Sequence, residues 1–79
     1  MTASVFTKKY ERFWQLLQKC RIDKGYTQEH VASLLNRPQS FVSKYESGER
    51  RLDVIEFLEV AEILNIDLSS FLQEFQKKE

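Results

Sequence analysis

The sequence is poor in the residues that punctuate or cross-link a chain: one cysteine, one proline and two glycines in 79 residues. The single cysteine, Cys20, cannot close an internal disulfide, which suits a reducing cytoplasm. So few glycines and prolines argue against a turn-rich β fold and against a disordered, low-complexity composition. No apolar run approaches the ~20 residues that a membrane-spanning helix needs. The opening stretch Met1–Trp14 lacks a basic region followed by an apolar one, so no secretory leader is expected. Histidine is as scarce: His30 is the only one, and with one distant cysteine it makes no metal-ligand set. No nucleophile stands paired with a base, so neither catalysis nor a metal or cofactor is expected.

Net charge is absent too, with twelve Lys and Arg against twelve Asp and Glu. The balance is uneven along the chain. Residues 1–51 hold ten basic and five acidic side chains, a net of +5, whereas residues 52–79 hold two basic and seven acidic, a net of −5. Binding responds to the local field rather than to the whole-chain sum, so the first half stays compatible with an acidic partner.

What is present in quantity is apolar surface and strong helix formers. A 42% hydrophobic and 13% aromatic content supplies one compact core, and the length fits one domain over residues 1–79 with its core at about 7–76. Periodicity with cap and stop residues predicts an all-α fold. The five helices fall at about 7–24, 28–35, 38–46, 54–64 and 68–76, with boundaries good to roughly two to four residues. Thr7 caps the first, whose inward stripe is Phe6, Tyr10, Phe13, Leu17 and Cys20, broadened by Trp14 and Leu16. Gly25 stops it. Thr27 caps the second, with Val31, Leu34 and Leu35 pointing inward, Ala32 allowing close approach and His30 exposed. Asn36 ends it in the left-handed region, Pro38 opens the third, and Gly48 marks the exit. Asp53 and Glu56 form a capping box for the fourth. Its Glu56, Glu59 and Glu62 recur as a solvated face. Asn65 is its stop. Asp67 caps the fifth, which carries Leu68, Phe71, Leu72 and Phe75, and the tail from Gln76 to Glu79 is expected to fray.

The run Tyr26–Gly48 therefore reads as two short helices joined by a tight turn. In that arrangement one helix braces across a DNA backbone and the next enters the major groove. At about 100° per residue, Val42 and Tyr45 of the third helix fall together, with Phe41 and Glu46 at the edges of that face. Ser40, Ser43, Lys44 and Ser47 fall opposite, with Gln39 between. The outer face is small, polar and mildly basic, as a helix that enters a groove must be. A glutamine amide donates and accepts at once, which fits the N6 and N7 edge of adenine, so Gln39 is the leading base reader. Ser40 and Ser43 pair with several groups, and Lys44 reaches a guanine edge or a phosphate. Thr27 and Gln28 are placed to hold backbone phosphate beside free helix N–H groups. Arg37 in the turn and Arg50 and Arg51 beyond the third helix are further backbone candidates. Phe41 stands at the DNA-facing edge, where it either meets a thymine methyl or rims the core.

With these residues in place the chain resembles the phage-repressor-type, lambda-repressor-like helix-turn-helix family, the Cro/cI or XRE class of transcriptional regulators. The matching residues are Arg21, Gly25, Thr27-Gln28-Glu29, Ala32, the run from Pro38 to Glu46, Gly48, Ala61 and Leu64, so the likeness covers roughly residues 13–72. It implies a compact five-helix DNA-binding domain with the third helix as the reader. It also implies base contact at Gln39, backbone contact at Gln28 and an internal ion pair between Arg21 and Glu46. Two departures stand out. Asn36 replaces the usual turn glycine, and Pro38 replaces a common Ser or Thr cap.

The fourth helix carries more apolar residues than one face needs: Val54, Phe57, Leu58, Val60, Ala61 and Leu64 lie on a broad arc, with Ile55 and Ile63 outside it. With exposed parts of Phe71 and Phe75, the C-terminal half of this helix and the fifth helix form the expected homodimer contact. The leading expectation is sequence-specific binding of double-stranded DNA by a small regulator, a repressor. The competing one is a protein-interaction module, such as an antitoxin or adaptor, on the same fold.

Overall fold

The computed structural model describes residues 7–77. Among these residues it holds five helices and no strand: α1 (Lys8–Lys24), α2 (Gln28–Leu35), α3 (Gln39–Glu46), α4 (Val54–Ile63) and α5 (Leu68–Gln76). Phe6, Lys78 and Glu79, for which burial or fraying was expected, lie outside the described residues.

Each boundary has a chemical cause. The Thr7 hydroxyl accepts from the Tyr10 N–H at 3.1 Å, and the Thr27 hydroxyl from the His30 N–H at 3.0 Å, so each covers one donor left open at a helix start. Gly25 ends α1 at φ 81° and Asn36 ends α2 at φ 58°, both left-handed. Pro38 precedes α3 as its cap residue, at φ −68° and ψ 155°, and gives no side-chain cap bond. The expected start at Pro38 is thus one residue early. The capping box of α4 is complete: the Asp53 carboxylate accepts from the Glu56 N–H at 2.7 Å, and the Glu56 carboxylate from the Asp53 N–H at 3.0 Å.

The core draws on every helix: Leu17 from α1, Val31 and Ala32 from α2, Phe41, Val42 and Tyr45 from α3, Val60 from α4 with Leu64 just beyond it, and Phe71 from α5. The aromatic ring of Phe13 meets Phe57 at 5.3 Å, Phe71 at 6.0 Å and Phe75 at 6.1 Å, all near edge-on. These contacts tie α1 to α4 and α5.

Four expectations change. Leu34 is 45% exposed rather than inward. Val31, Ala32 and Leu35 already fill the inner arc of α2, and Leu34 lies about 100° around from Leu35. On α4 the inward set is Phe57, Val60, Ala61 and Leu64, with Ile63 packed beside it, whereas Val54, Ile55 and Leu58 are exposed. The apolar surplus therefore sits on the N-terminal half of α4, not the C-terminal half. Phe71 is buried and unavailable to a partner; the exposed apolar residues of α5 are Leu68 and Leu72. Glu56 is no solvated residue, because its side chain is only 15% exposed and bonds to Arg50.

Gly48 has a requirement that Gly25 does not share. Both hold positive φ, 83° and 81°. A Cβ at Gly48 would stand 2.7 Å from the Trp14 ring nitrogen, whereas at Gly25 it would meet open space. Gly25→Ala is therefore expected to cost about 1–2 kcal/mol, the left-handed penalty alone. Gly48→Ala should cost clearly more, because Trp14 must also move out of its seat. Urea unfolding of the two variants side by side checks the order, and an equal loss would show that Trp14 gives way freely.

Candidate nucleic-acid interface

A buried ion pair anchors the two short helices. Arg21 donates from Nε to Glu46 Oε2 at 2.7 Å and from Nη2 to Glu46 Oε1 at 3.0 Å. Its third arm, Nη1, donates to the Tyr26 carbonyl at 2.8 Å. The Glu46 side chain is 2% exposed and that of Arg21 11%. The carboxylate holds the guanidinium charged and pushes its pKa up. Beside the pair, burial pushes the Tyr45 hydroxyl well above the ordinary phenol range, and the Glu46 charge adds to the shift.

The ion pair then sets the orientation of two amides. An ionised carboxylate only accepts, so Gln28 must turn its NH₂ toward it, and Gln28 Nε2 donates to Glu46 Oε1 at 3.0 Å. The Gln28 carbonyl is thereby directed the other way, where it accepts from Gln39 Nε2 at 3.4 Å. That bond in turn occupies one N–H of Gln39 and leaves its carbonyl oxygen and second N–H to point elsewhere. A charge at the far end of α3 thus orients the first side chain of the same helix, through α2. Gln39 remains exposed and presents an acceptor beside a donor, the pair of groups that an adenine edge requires.

The two faces of α3 divide as the periodicity predicts. Phe41, Val42, Tyr45 and Glu46 are buried; Gln39, Ser40, Lys44 and Ser47 are exposed and Ser43 is half-buried. Thr27 is exposed; its hydroxyl oxygen accepts the His30 N–H as a cap, and its O–H remains a donor. Gln28 is half-buried behind Gln39. Phe41, at 8% exposure, is a rim of the core, with the guanidinium groups of Arg37 and Arg50 over its ring at 4.4 and 4.9 Å.

The arginines are not equivalent. Arg50 makes a two-pronged bond to Glu56, Nη1 to Oε1 at 2.9 Å and Nη2 to Oε2 at 2.8 Å. Arg37 lies 3.8 Å from both Glu56 and Glu59. Arg51 is exposed, has no ion-pair partner among the described residues, and stacks over the Tyr10 ring at 4.3 Å. Tyr10 also holds the backbone of that loop: its hydroxyl donates to the Arg50 carbonyl at 3.4 Å and accepts from the Leu52 N–H at 3.1 Å. Two contributors to this surface were thus missed in the sequence. Glu56 was read only as a cap and a solvated charge, and Tyr10 only as core. Nothing in local spacing pairs position 10 with positions 50–52.

Comparison with known proteins bears on the family and the fold. The Helix-turn-helix family model matches residues 17–71. A solved structure of an XRE-family like protein from Pseudomonas syringae pv. tomato superposes at a TM-score of 0.80 with 43% identity, covering 86% of this chain and 83% of that one. The chain belongs to the XRE-type helix-turn-helix family. Two regulators of Bacillus subtilis are similar to this XRE-type chain. YonR, an HTH-type transcriptional regulator derived from prophage SPbeta, is 31% identical over 61 residues, 77% of this chain and 56% of its own length. YqaF, named an HTH-type transcriptional regulator, is 33% identical over 58 residues, 73% of this chain and 76% of its own length. A mutant of the restriction-modification controller protein C.Esp1396I shares the fold, with a TM-score of 0.80 at 23% identity and 87% coverage of each chain. No helix among the described residues is long and apolar enough to cross a membrane.

The Arg50 bond lowers the Glu56 pKa from an ordinary 4.5 to about 2. A carboxyl that is harder to protonate folded than unfolded stabilises the fold above its ordinary value, and loses that contribution as pH falls through the folded value. The melting temperature should hold steady near neutrality and drop as pH goes from about 4.5 toward 2. Glu56→Gln should flatten that drop, and an identical acid profile for the variant would remove the assignment.

Proposed function

We propose that this chain is a small transcriptional regulator, a repressor, that binds double-stranded DNA sequence-specifically with α3 in the major groove. The observation that carries the reading is the hydrogen-bonded path from Glu46 through Gln28 to Gln39. It spends a buried charge pair on orienting one exposed amide at the start of a helix whose outer face is small and polar. Family membership and the regulator names of YonR and YqaF point the same way. In this reading Gln39 reads a base edge, and Ser40, Ser43 and Lys44 line the groove beside it. Gln28 and Thr27 abut the backbone, and Arg51 supplies the main loop charge to phosphate. Arg37 and Arg50 lie next to the same phosphates with their charges partly met. A domain seated in this way covers its site against other proteins, which is repression.

One recognition helix reads only a few base pairs, so two copies on a dyad, addressing half-sites about 34 Å apart, complete the site. The apolar stripes Val54, Ile55 and Leu58 on α4 and Leu68 and Leu72 on α5, all exposed in the single chain, form the contact between copies.

Selection of bound fragments from random duplexes supplies the preferred site. On that site Gln39→Ala should cost about 1–3 kcal/mol, and little on unrelated DNA. Arg51→Ala should weaken both classes alike and flatten the slope of log affinity against log salt by about one unit. A ratio of specific to random affinity that Gln39→Ala leaves untouched sinks the base-reading role.

Sedimentation on the selected duplex should give two copies per site. Leu58→Glu with Leu72→Glu should reduce this to one copy with weaker binding. A single wild-type copy on a high-affinity duplex would rule out the dyad.

A further inference from the structure

The acidic half of the chain folds back on the basic half. Glu56 and Glu59 of α4 reach Arg37 and Arg50, the two arginines that flank the start and the exit of α3. One carboxylate, Glu56, faces both guanidinium groups: it is bonded to Arg50 through both oxygens and lies 3.8 Å from Arg37. The remaining lone pair of Oε1 takes the Asp53 N–H at 3.0 Å, so the carboxylate is fixed from three sides. The guanidinium groups are fixed in turn against Phe41. Two cations at the ends of α3 are therefore held in place, Arg50 with its charge met by Glu56 and Arg37 more loosely between Glu56 and Glu59.

We propose that Glu56 is a built-in counter-charge that keeps the hold on non-specific DNA weak while positioning Arg50 for the preferred site. The inference rests on the DNA-binding reading above. Non-specific binding is almost wholly electrostatic and scales with the number of phosphates neutralised, whereas specific binding adds base contacts and a fixed register. A carboxylate that cancels one guanidinium therefore weakens the non-specific mode in full. In the specific mode it returns part of the loss by keeping the guanidinium in one geometry. Cap formation alone does not account for the arrangement, since the box with Asp53 uses one oxygen and needs no arginine.

The test compares Glu56→Gln with Glu62→Gln on the full chain. Both remove one negative charge from α4, but Glu62 is exposed and has no ion-pair partner among the described residues. Affinity is measured on random duplex and on the selected site across a salt series, with a thermal melt of each variant. Glu56→Gln should bind random DNA several-fold more tightly at low salt, with the salt slope steeper by about one unit. Its specific-to-random ratio should fall, and Glu62→Gln should match wild type. Unchanged or weaker random binding by a folded Glu56→Gln overturns the inference, and so does an equal response from Glu62→Gln. Should the single variant unfold, Arg50→Gln is compared with the paired change Arg50→Gln and Glu56→Gln. The first should weaken random binding, and the second should restore it to the wild-type value. A pair that stays as weak as Arg50→Gln also overturns it. Wild-type protein that binds no DNA at any salt concentration would instead end the DNA-binding reading itself.

Discussion

The arrangement of the helix-turn-helix depends on one buried charge pair. Taking Arg21 and Glu46 out of water is costly, and the attraction between them offsets that cost only when the geometry is good and the remaining polar atoms are satisfied. Both conditions hold. The contact is two-pronged at 2.7 and 3.0 Å, the spare guanidinium arm bonds the Tyr26 carbonyl, and the spare carboxylate capacity takes Gln28. Removal of either partner would strand a buried charge beside Tyr45. The pair is a link between segments that lie far apart in the sequence. It couples the end of α1, the entry to α2 and the end of α3, which local sequence alone would leave free to slide.

Much of the helical framework was legible in the sequence, because each boundary rests on a local signal. Thr7, Thr27, Asp53 and Asp67 cap, while Gly25, Asn36 and Asn65 stop; all act through their own backbone neighbours. The two faces of α3 were legible for the same reason, since eight residues with a clean apolar–polar division leave one way to pack. The Arg21–Glu46 pair came from family likeness rather than from spacing, as 25 residues separate the partners.

What failed to show was long-range or degenerate. On α4 nearly every position outside the glutamates is apolar, so periodicity could not tell Val54, Ile55 and Leu58 from the true inward set. Leu34 misled for a related reason, because apolar character was taken as burial in a helix whose inner arc was already full. Glu56 has two roles at once, cap partner and arginine ligand, and only the first follows from neighbouring residues. Tyr10 belongs to the core by periodicity, yet its hydroxyl holds a loop 40 residues away.

The turn between α2 and α3 has a kinetic consequence. Asn36 sits in a left-handed well at φ 58°, and Pro38 can hardly depart from its φ of −68°. With three residues between the helices and two of them so confined, the unfolded chain has fewer conformations to surrender at this corner, and the folded chain has little hinge. Encounter with a rigid partner then proceeds as docking between two preformed shapes. At this corner association brings no ordering step, so the turn itself adds nothing to the heat-capacity change beyond the surface it buries.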